Sequence, residues 1–175
     1  MALSYKEELN NITTFVLDVD GVLTDGSILV TQEGEMLRNM NIKDGYAMKA
    51  AVDSGYNLCV ISGGSNPGVK IRLQNLGIKE VHLGIGDKVA VLNNYFKTNN
   101  INPKDVVYVG DDLPDYHVMQ LVGMPVCPQD AVPEIKALSK YISHKNGGKG
   151  CVRDIIEQVM KVQGNWMKNF NAKYD

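Results

Sequence analysis

The chain has 175 residues, of which 44% are hydrophobic and 22% charged, and this length is typical of one compact domain. Its 18 basic and 20 acidic residues give a net charge of −2, which argues against a nucleic-acid partner. The three cysteines have neither the even number of a disulfide framework nor the spacing of a zinc ribbon. The sequence has no apolar run of 18 residues and no signal-peptide core, so we expect a cytoplasmic protein without a membrane partner.

Apolar runs alternate with helical patterns along the chain. Strands are predicted at 12–19, 57–61, 80–83, 106–109, 125–127 and 140–142. Helices are predicted near 45–53, 69–76, 88–98, 115–122, 132–138 and 151–162. Strands that alternate with helices of about ten residues are typical of right-handed β-α-β crossovers. The pattern therefore predicts an α/β fold, a Rossmann-like doubly wound parallel sheet.

Two segments depart from this alternation. Short strands at 27–30 and 36–40 surround a glycine turn, which predicts a β-hairpin flap over about 26–41. The length leaves no room for a large cap domain, and residues 1–175 are predicted to form a single domain. The tail at about 164–175 carries Trp166, Met167 and Phe170, which we expect to pack on this subunit or on a neighbour.

Polar residues follow the predicted strands at the sheet edge where ligands collect in parallel sheets. In chain order these residues are Asp18, Asp20, Ser62, Gly63, Gly64, Lys88, Asp111, Asp112 and Asp115. Clustered carboxylates resist ionisation unless a cation lies among them, and oxygen ligands favour Mg²⁺. One carboxylate could attack phosphorus while its neighbour moves the proton of the leaving group. Ser62 and Lys88 could bind the phosphoryl oxygens.

Four ordered motifs resemble those of the haloacid dehalogenase superfamily of phosphohydrolases. They are Asp18-x-Asp20-Gly-x-x-Thr24-Asp25, Ser62-Gly63, Lys88 and Gly110-Asp111-Asp112-x-x-Asp115. Residues 20–26, 41–46, 110–116 and 147–154 further resemble the capless branch of 3-deoxy-D-manno-octulosonate 8-phosphate phosphatases. The resemblance implies hydrolysis of this sugar-acid phosphate to the free acid, through an aspartyl-phosphate, in the biosynthesis of lipopolysaccharide precursors.

The resemblance also implies a role for each acidic residue. Asp18 would be the nucleophile, and Asp20 the general acid and then the base. Mg²⁺ would be held by Asp18, the backbone carbonyl of Asp20, and Asp111. Asp112 or Asp115 would act on the metal through water or from behind its ligands, while Asp115 could equally stabilise the start of a helix.

The remaining candidates concern the substrate. Ser62, Gly63 and Lys88 would hold the phosphoryl group. A related branch, which acts on a nine-carbon keto-sugar acid 9-phosphate, has Glu at the position of Gly64 and Lys at that of Asn75, while Arg72 is shared. These differences favour the eight-carbon substrate and leave the nine-carbon one as the alternative.

Arg72 is the candidate for binding the sugar-acid carboxylate, since a guanidinium matches a carboxylate in a bidentate pair. Lys43 and Asp44, which follow the hairpin, are expected either to bind substrate or to cap the next helix. The resemblance further implies a homotetramer in which a neighbour's C-terminal tail lies near the site.

A function of a different class would be a non-catalytic receiver-like or interaction domain. A receiver carries its acceptor aspartate at the end of a middle strand, whereas here the acidic pair Asp18 and Asp20 follows the first strand. An inactive interaction domain would be recognised by the loss of Asp20 or Lys88, and both are present. The order and completeness of the motifs therefore favour the phosphatase.

Overall fold

The computed structural model describes residues 5–168. Its strands are β1 (Thr14–Leu17), β2 (Leu29–Val30), β3 (Met36–Leu37), β4 (Asn57–Ile61), β5 (Glu80–His82), β6 (Val106–Val109), β7 (Met124–Cys127) and β8 (Tyr141–Ile142). Its α-helices are α1 (Tyr5–Glu8), α2 (Ile42–Asp53), α3 (Pro67–Asn75), α4 (Lys88–Asn99), α5 (Tyr116–Met119), α6 (Pro133–Leu138) and α7 (Cys151–Val162).

Six strands form one parallel sheet in the order β5-β4-β1-β6-β7-β8. Side chains of the central strand alternate between two apolar layers, because successive residues of a strand point to opposite faces. Phe15 and Leu17 pack in the layer that contains α2, α3 and α7, whereas Val16 packs with α4, α5 and α6. The predicted doubly wound α/β fold is confirmed.

The segment between β1 and α2 contains the predicted hairpin. β2 and β3 pair antiparallel, with Leu29 opposite Leu37 and Val30 opposite Met36, and Gly34 takes a positive φ of 83° in the turn. These four strand residues are exposed. We call residues 26–41 the flap.

A glycine-rich loop, residues 147–150, packs directly against the loop after β1. The N–H of Gly148 donates to the carbonyl of Val22 at 2.9 Å. A Cβ on Gly147 would lie 1.9 Å from the carbonyl oxygen of Gly21, so no other residue fits there. The late glycine motif thus supports the backbone of the loop that carries the first acidic pair.

Asp44 caps a helix that is remote in sequence. Gly150 precedes α7 without a side-chain cap, and Asp44 on α2 instead accepts from the N–H of Arg153 at 2.7 Å through Oδ1. The carboxylate is 1% exposed, and its Oδ2 has no hydrogen-bond partner. Burial raises the pKa of Asp44 to about 6. The next helix, α2, is capped by Asn41 and not by Asp44, so the cap that Asp44 provides is on α7 and differs from the one expected.

The segment after α7 packs on its own subunit as far as residue 168. The Trp166 ring meets the ring of Tyr46 on α2 at 6.1 Å and 81°, and the Arg153 guanidinium lies 5.5 Å from the Trp166 ring centre. Met167 is exposed, and Phe170 lies outside the described residues. Between residues 5 and 168, no helix has the length and apolar character needed to cross a bilayer.

We predict that Asp44→Ala destabilises the fold, because it removes the hydrogen bond that joins α2 to the first turn of α7. A lost cap costs about 1–2 kcal/mol in the free energy of unfolding. Asp53→Ala, which removes an exposed ion pair within α2, should change it by less than about 0.5 kcal/mol. Urea denaturation measures both; equal midpoints for Asp44→Ala and wild type would contradict the capping role.

The raised pKa of Asp44 also predicts a pH dependence. A carboxyl that binds its proton more tightly in the folded protein stabilises the fold below pH 4 and loses that contribution as pH rises through about 6. Asp44→Asn cannot titrate, so the stability of wild type relative to this variant should fall between pH 4 and pH 7. A difference that stays constant over this range would contradict the assignment.

Candidate active site

A cavity of about 520 Å³ lies at the carboxyl ends of β1, β4 and β6, beside the first turn of α4. This is the sheet edge at which ligands are expected in a doubly wound fold. The cavity is lined by the sequence-predicted residues Asp18, Asp20, Ser62, Gly63, Gly64, Lys88, Asp111, Asp112 and Asp115. The structure thus brings together all four motifs.

A buried chain of charges crosses the floor of the cavity. Lys88 Nζ lies 3.1 Å from Asp18 Oδ2 and donates to Asp115 Oδ1 at 2.7 Å. Burial, followed by the charge of Asp115, raises the pKa of Asp18 to about 6. Burial acts to lower the pKa of Lys88, but the two carboxylates outweigh it and raise this pKa, so Lys88 stays an ammonium.

Asp115 is the anchor of this chain. Besides Lys88, its carboxylate accepts from the Tyr108 hydroxyl at 2.8 Å and from the N–H of Asp111 at 3.2 Å. It makes no cap hydrogen bond to α5, which begins directly after it. A Cβ on Gly110 would lie 2.6 Å from the Asp115 Cβ, so glycine allows the close approach. Asp115 therefore holds Lys88 in place. The hydrogen bond from Tyr108 to Asp115 was not predicted from the sequence.

The acidic residues of the cavity fit a metal ion. One carboxylate oxygen from each of Asp18, Asp111 and Asp115 lies within 4.8 Å of the other two. Burial and the charges of Asp18, Asp115 and Asp112 raise the pKa of Asp111 to about 8. A bound cation would offset this concentration of negative charge, and carboxylate oxygens suit Mg²⁺. Because Asp115 is engaged by three donors, Asp18 and Asp111 are the better placed ligands.

Asp112 lies at the rim of the cavity. Its Oδ1 accepts from the N–H of Leu113 at 2.8 Å and its side chain is exposed. It does not belong to the three-carboxylate cluster among residues 5–168. Asp112 is therefore less well placed than these three carboxylates to contact a metal directly.

The loop after β4 forms the opposite wall. Ser62 is 2% exposed, and its Oγ accepts from the N–H of Gly64 at 3.2 Å. Backbone hydrogen bonds from Ile85 to Ser62 and from Gly84 to Gly64 fix this loop to the one after β5. The hydroxyl and the N–H groups of this loop are donors of the kind that bind phosphoryl oxygens.

The flap reaches the site through Arg38, which sequence analysis missed. Its Nε donates to Asp20 Oδ1 at 3.1 Å and its Nη2 to Oδ2 at 3.2 Å, a bidentate pair. A second cavity, of about 620 Å³, lies between flap residues 34–38 and residues 63–68. The two cavities share Gly63 and Gly64, so a phosphate ester could extend from one into the other.

Three predicted substrate-binding residues do not line either cavity. The Arg72 guanidinium lies against the start of α2, where a Cβ on Gly45 would be 2.7 Å from Nη2. Lys43 is exposed in the first turn of α2, and Asp44 is committed to α7. The pattern of residue types identified these three positions, but the packing of α2 against α3 and α7 decides where they point.

Comparisons with known proteins identify relatives of this chain. Residues 82–155 match the model of haloacid dehalogenase-like hydrolases. The chain is 37% identical over 154 residues to the 3-deoxy-D-manno-octulosonate 8-phosphate phosphatase of Salmonella typhi. The aligned residues cover 88% of this chain and 82% of that protein.

Two solved structures of phosphatases with that name are also similar. The one from Yersinia pestis has a TM-score of 0.92 at 31% identity, over 96% of this chain and 91% of its own. The one from Moraxella catarrhalis, in complex with magnesium, phosphate and a KDO molecule, has a TM-score of 0.89 at 34% identity, over 92% of each chain. The chain belongs to the 3-deoxy-D-manno-octulosonate 8-phosphate phosphatase family of haloacid dehalogenase-like hydrolases.

Proposed function

We propose that this protein is a magnesium-dependent phosphomonoesterase that hydrolyses 3-deoxy-D-manno-octulosonate 8-phosphate to the free sugar acid and inorganic phosphate. The observation that carries the proposal is the contact of a buried Asp18 with Lys88, opposite Asp111, in a cavity large enough for a phosphoryl group. Relatives of this name, one of them in complex with magnesium, phosphate and KDO, support the substrate and the metal. Its place is the biosynthesis of lipopolysaccharide precursors.

In the first step Asp18 attacks the phosphorus. A bond forms between its carboxylate oxygen and phosphorus while the bond from phosphorus to the sugar oxygen breaks. Asp20 gives its proton to that sugar oxygen, which leaves as an alcohol. Lys88 and the donors around Ser62 balance the charge of the phosphoryl oxygens. A magnesium ion held by Asp18 and Asp111 would supply further positive charge at the same oxygens.

In the second step water replaces Asp18. The Asp20 carboxylate takes a proton from water as the water oxygen bonds to phosphorus, and the bond between phosphorus and Asp18 breaks. Inorganic phosphate leaves, Asp18 is again a carboxylate and Asp20 is again protonated. Because phosphate-monoester hydrolysis is among the slowest uncatalysed reactions, nucleophile, acid and cation are all needed.

We also propose that the chain forms a cytoplasmic homotetramer. The flap exposes several apolar side chains, and such exposure favours contact with other subunits. They are Ile28, Leu29, Val30, Met36 and Leu37. Residues 164–168 pack on their own subunit, so a tail that reaches a neighbour's site would have to do so with residues 169–175, which lie outside the described part. Light scattering of the purified protein measures the subunit number.

The reaction predicts a strict requirement for Asp18. In Asp18→Asn, phosphate release from the eight-carbon substrate should fall by at least about four orders of magnitude, because the amide is not a nucleophile. Asp53→Asn, on the exposed side of α2, is the matched control and should keep wild-type activity. Retention of activity in Asp18→Asn would refute the mechanism.

The same assay separates the two substrates. Wild-type kcat/KM should be higher for the eight-carbon 8-phosphate than for the nine-carbon 9-phosphate, and the reverse order would favour the alternative. Neither substrate should be hydrolysed after chelation of Mg²⁺, and activity should return when the ion is restored.

Metal binding predicts a difference between two neighbouring carboxylates. Asp111→Asn removes a charge from the three-carboxylate cluster and should weaken Mg²⁺ binding at least about tenfold, which corresponds to about 1.4 kcal/mol. Asp112→Asn, at the rim, should weaken it less than about threefold. Calorimetric titration with Mg²⁺ alone measures both constants; equal losses would place Asp112 on the metal.

A further inference from the structure

Among residues 26–41, Arg38 is the flap side chain that forms a salt bridge with a proposed catalytic residue, Asp20. Its two nitrogens Nε and Nη2 each donate to a different oxygen of Asp20. The Arg38 side chain is 11% exposed, in contrast to the 36% of the Asp20 carboxyl group that it holds. The guanidinium therefore covers one side of Asp20 and leaves the other side open to the cavity.

Hydrogen bonds to the carbonyl of Met36 on the flap keep Arg38 in this position. Arg38 Nη1 donates to the carbonyl of Met36 at 2.9 Å, so all three nitrogens of the guanidinium are engaged. The same carbonyl accepts from Asn66 Nδ2 at 2.8 Å. Asn66 also caps α3 through its Oδ1, which accepts from the N–H of Val69 at 3.1 Å. A rigid helix thus positions the flap strand that carries Arg38.

Gly64 leaves the space for the pair. A Cβ at this position would lie 3.0 Å from Asp20 Oδ2 and 3.2 Å from Arg38 Nη2. Both distances are shorter than ordinary van der Waals contact, so any side chain here would press on the pair. Gly64 belongs to both cavities, which places the Arg38–Asp20 pair at their junction, where the bond to the leaving oxygen would lie.

We propose that Arg38 is a positioning residue that orients Asp20 for proton transfer to the leaving oxygen. This inference rests on the proposed function, in which Asp20 is the acid. When Asp20 gives its proton to the sugar oxygen, the proton and the broken phosphorus–oxygen bond produce an alcohol, and the negative charge appears on the Asp20 carboxylate. The bidentate guanidinium fixes the plane of the Asp20 carboxyl group and leaves its open side facing the cavity, where the leaving oxygen would lie.

A purely structural role is the competing explanation, because the same contact ties the flap to the sheet. The two roles differ in how they depend on the leaving group. An alkyl phosphate releases an alkoxide that must be protonated, whereas p-nitrophenyl phosphate releases a stable phenolate that needs no proton. A misoriented acid slows only the hydrolysis of the alkyl phosphate, whereas a distorted site slows the hydrolysis of both phosphates.

The test compares kcat/KM for the eight-carbon sugar-acid phosphate and p-nitrophenyl phosphate, both with saturating Mg²⁺. For each substrate, kcat/KM reports the steps up to and including release of the leaving group. In Arg38→Gln we expect a loss of at least about tenfold on the sugar-acid phosphate and less than about threefold on p-nitrophenyl phosphate. Arg38→Lys keeps the charge without the fork and should fall between wild type and Arg38→Gln. Glu33→Gln, at the exposed tip of the flap, is the control and should match wild type.

Asp20→Asn separates failure of this inference from failure of the proposed function. If Asp20→Asn slows only the sugar-acid phosphate while Arg38→Gln slows both substrates equally, or neither, the positioning role is refuted and the function stands. If wild type does not hydrolyse the sugar-acid phosphate, the proposed function is refuted. If Asp20→Asn slows both substrates equally, the role of Asp20 as the acid is refuted. A selective loss in both variants supports the positioning role.

Discussion

The site depends on one buried ammonium group held between two carboxylates. Lys88 is 7% exposed and contacts both Asp18 and Asp115, so its charge is compensated without water. Burial of a charge costs several kcal/mol unless it is paired and hydrogen-bonded, which explains why Asp115 has further donors in Tyr108 and the N–H of Asp111. The trio carries a net negative charge when Asp18 is ionised, and burial together with this charge raises the pKa of Asp111. A cation is therefore the natural complement of the cavity.

The close approach of these groups depends on backbone positions that admit only glycine. At Gly21 a Cβ would overlap the Asp111 carboxylate at 2.0 Å, and at Gly147 it would overlap the backbone of Gly21 itself. The loop after β1 is thus enclosed between the Asp111 carboxylate on one side and the glycine-rich loop of residues 147–150 on the other. A segment near the end of the chain thereby controls the position of residues near its start, although it contributes no side chain to the chemistry.

The fold and the centre of the site could be predicted because both follow from local rules. Buried strands read as apolar runs, and residues that follow parallel strands converge at one edge, which located Asp18, Ser62 and Asp111. Arg38 could not be found in this way, since its partner depends on how the flap docks. For Asp44 the sequence suggested substrate binding or a cap on the next helix, and it could not reveal the cap on α7, which begins more than a hundred residues later. Side-chain direction on α2 and α3 is decided by tertiary packing, which a single sequence does not contain.

The two aspartates of the first motif have different environments, and this difference separates their roles. They are two residues apart, so both reach the same edge of the sheet. Asp18 turns toward Lys88 inside the domain, where an ammonium can stay close to the phosphoryl oxygens throughout the reaction. Asp20 turns toward Arg38 on the flap, where the two cavities meet. In a chain whose only insert between β1 and α2 is a hairpin, the flap can thus contribute to the chemistry as well as cover the substrate.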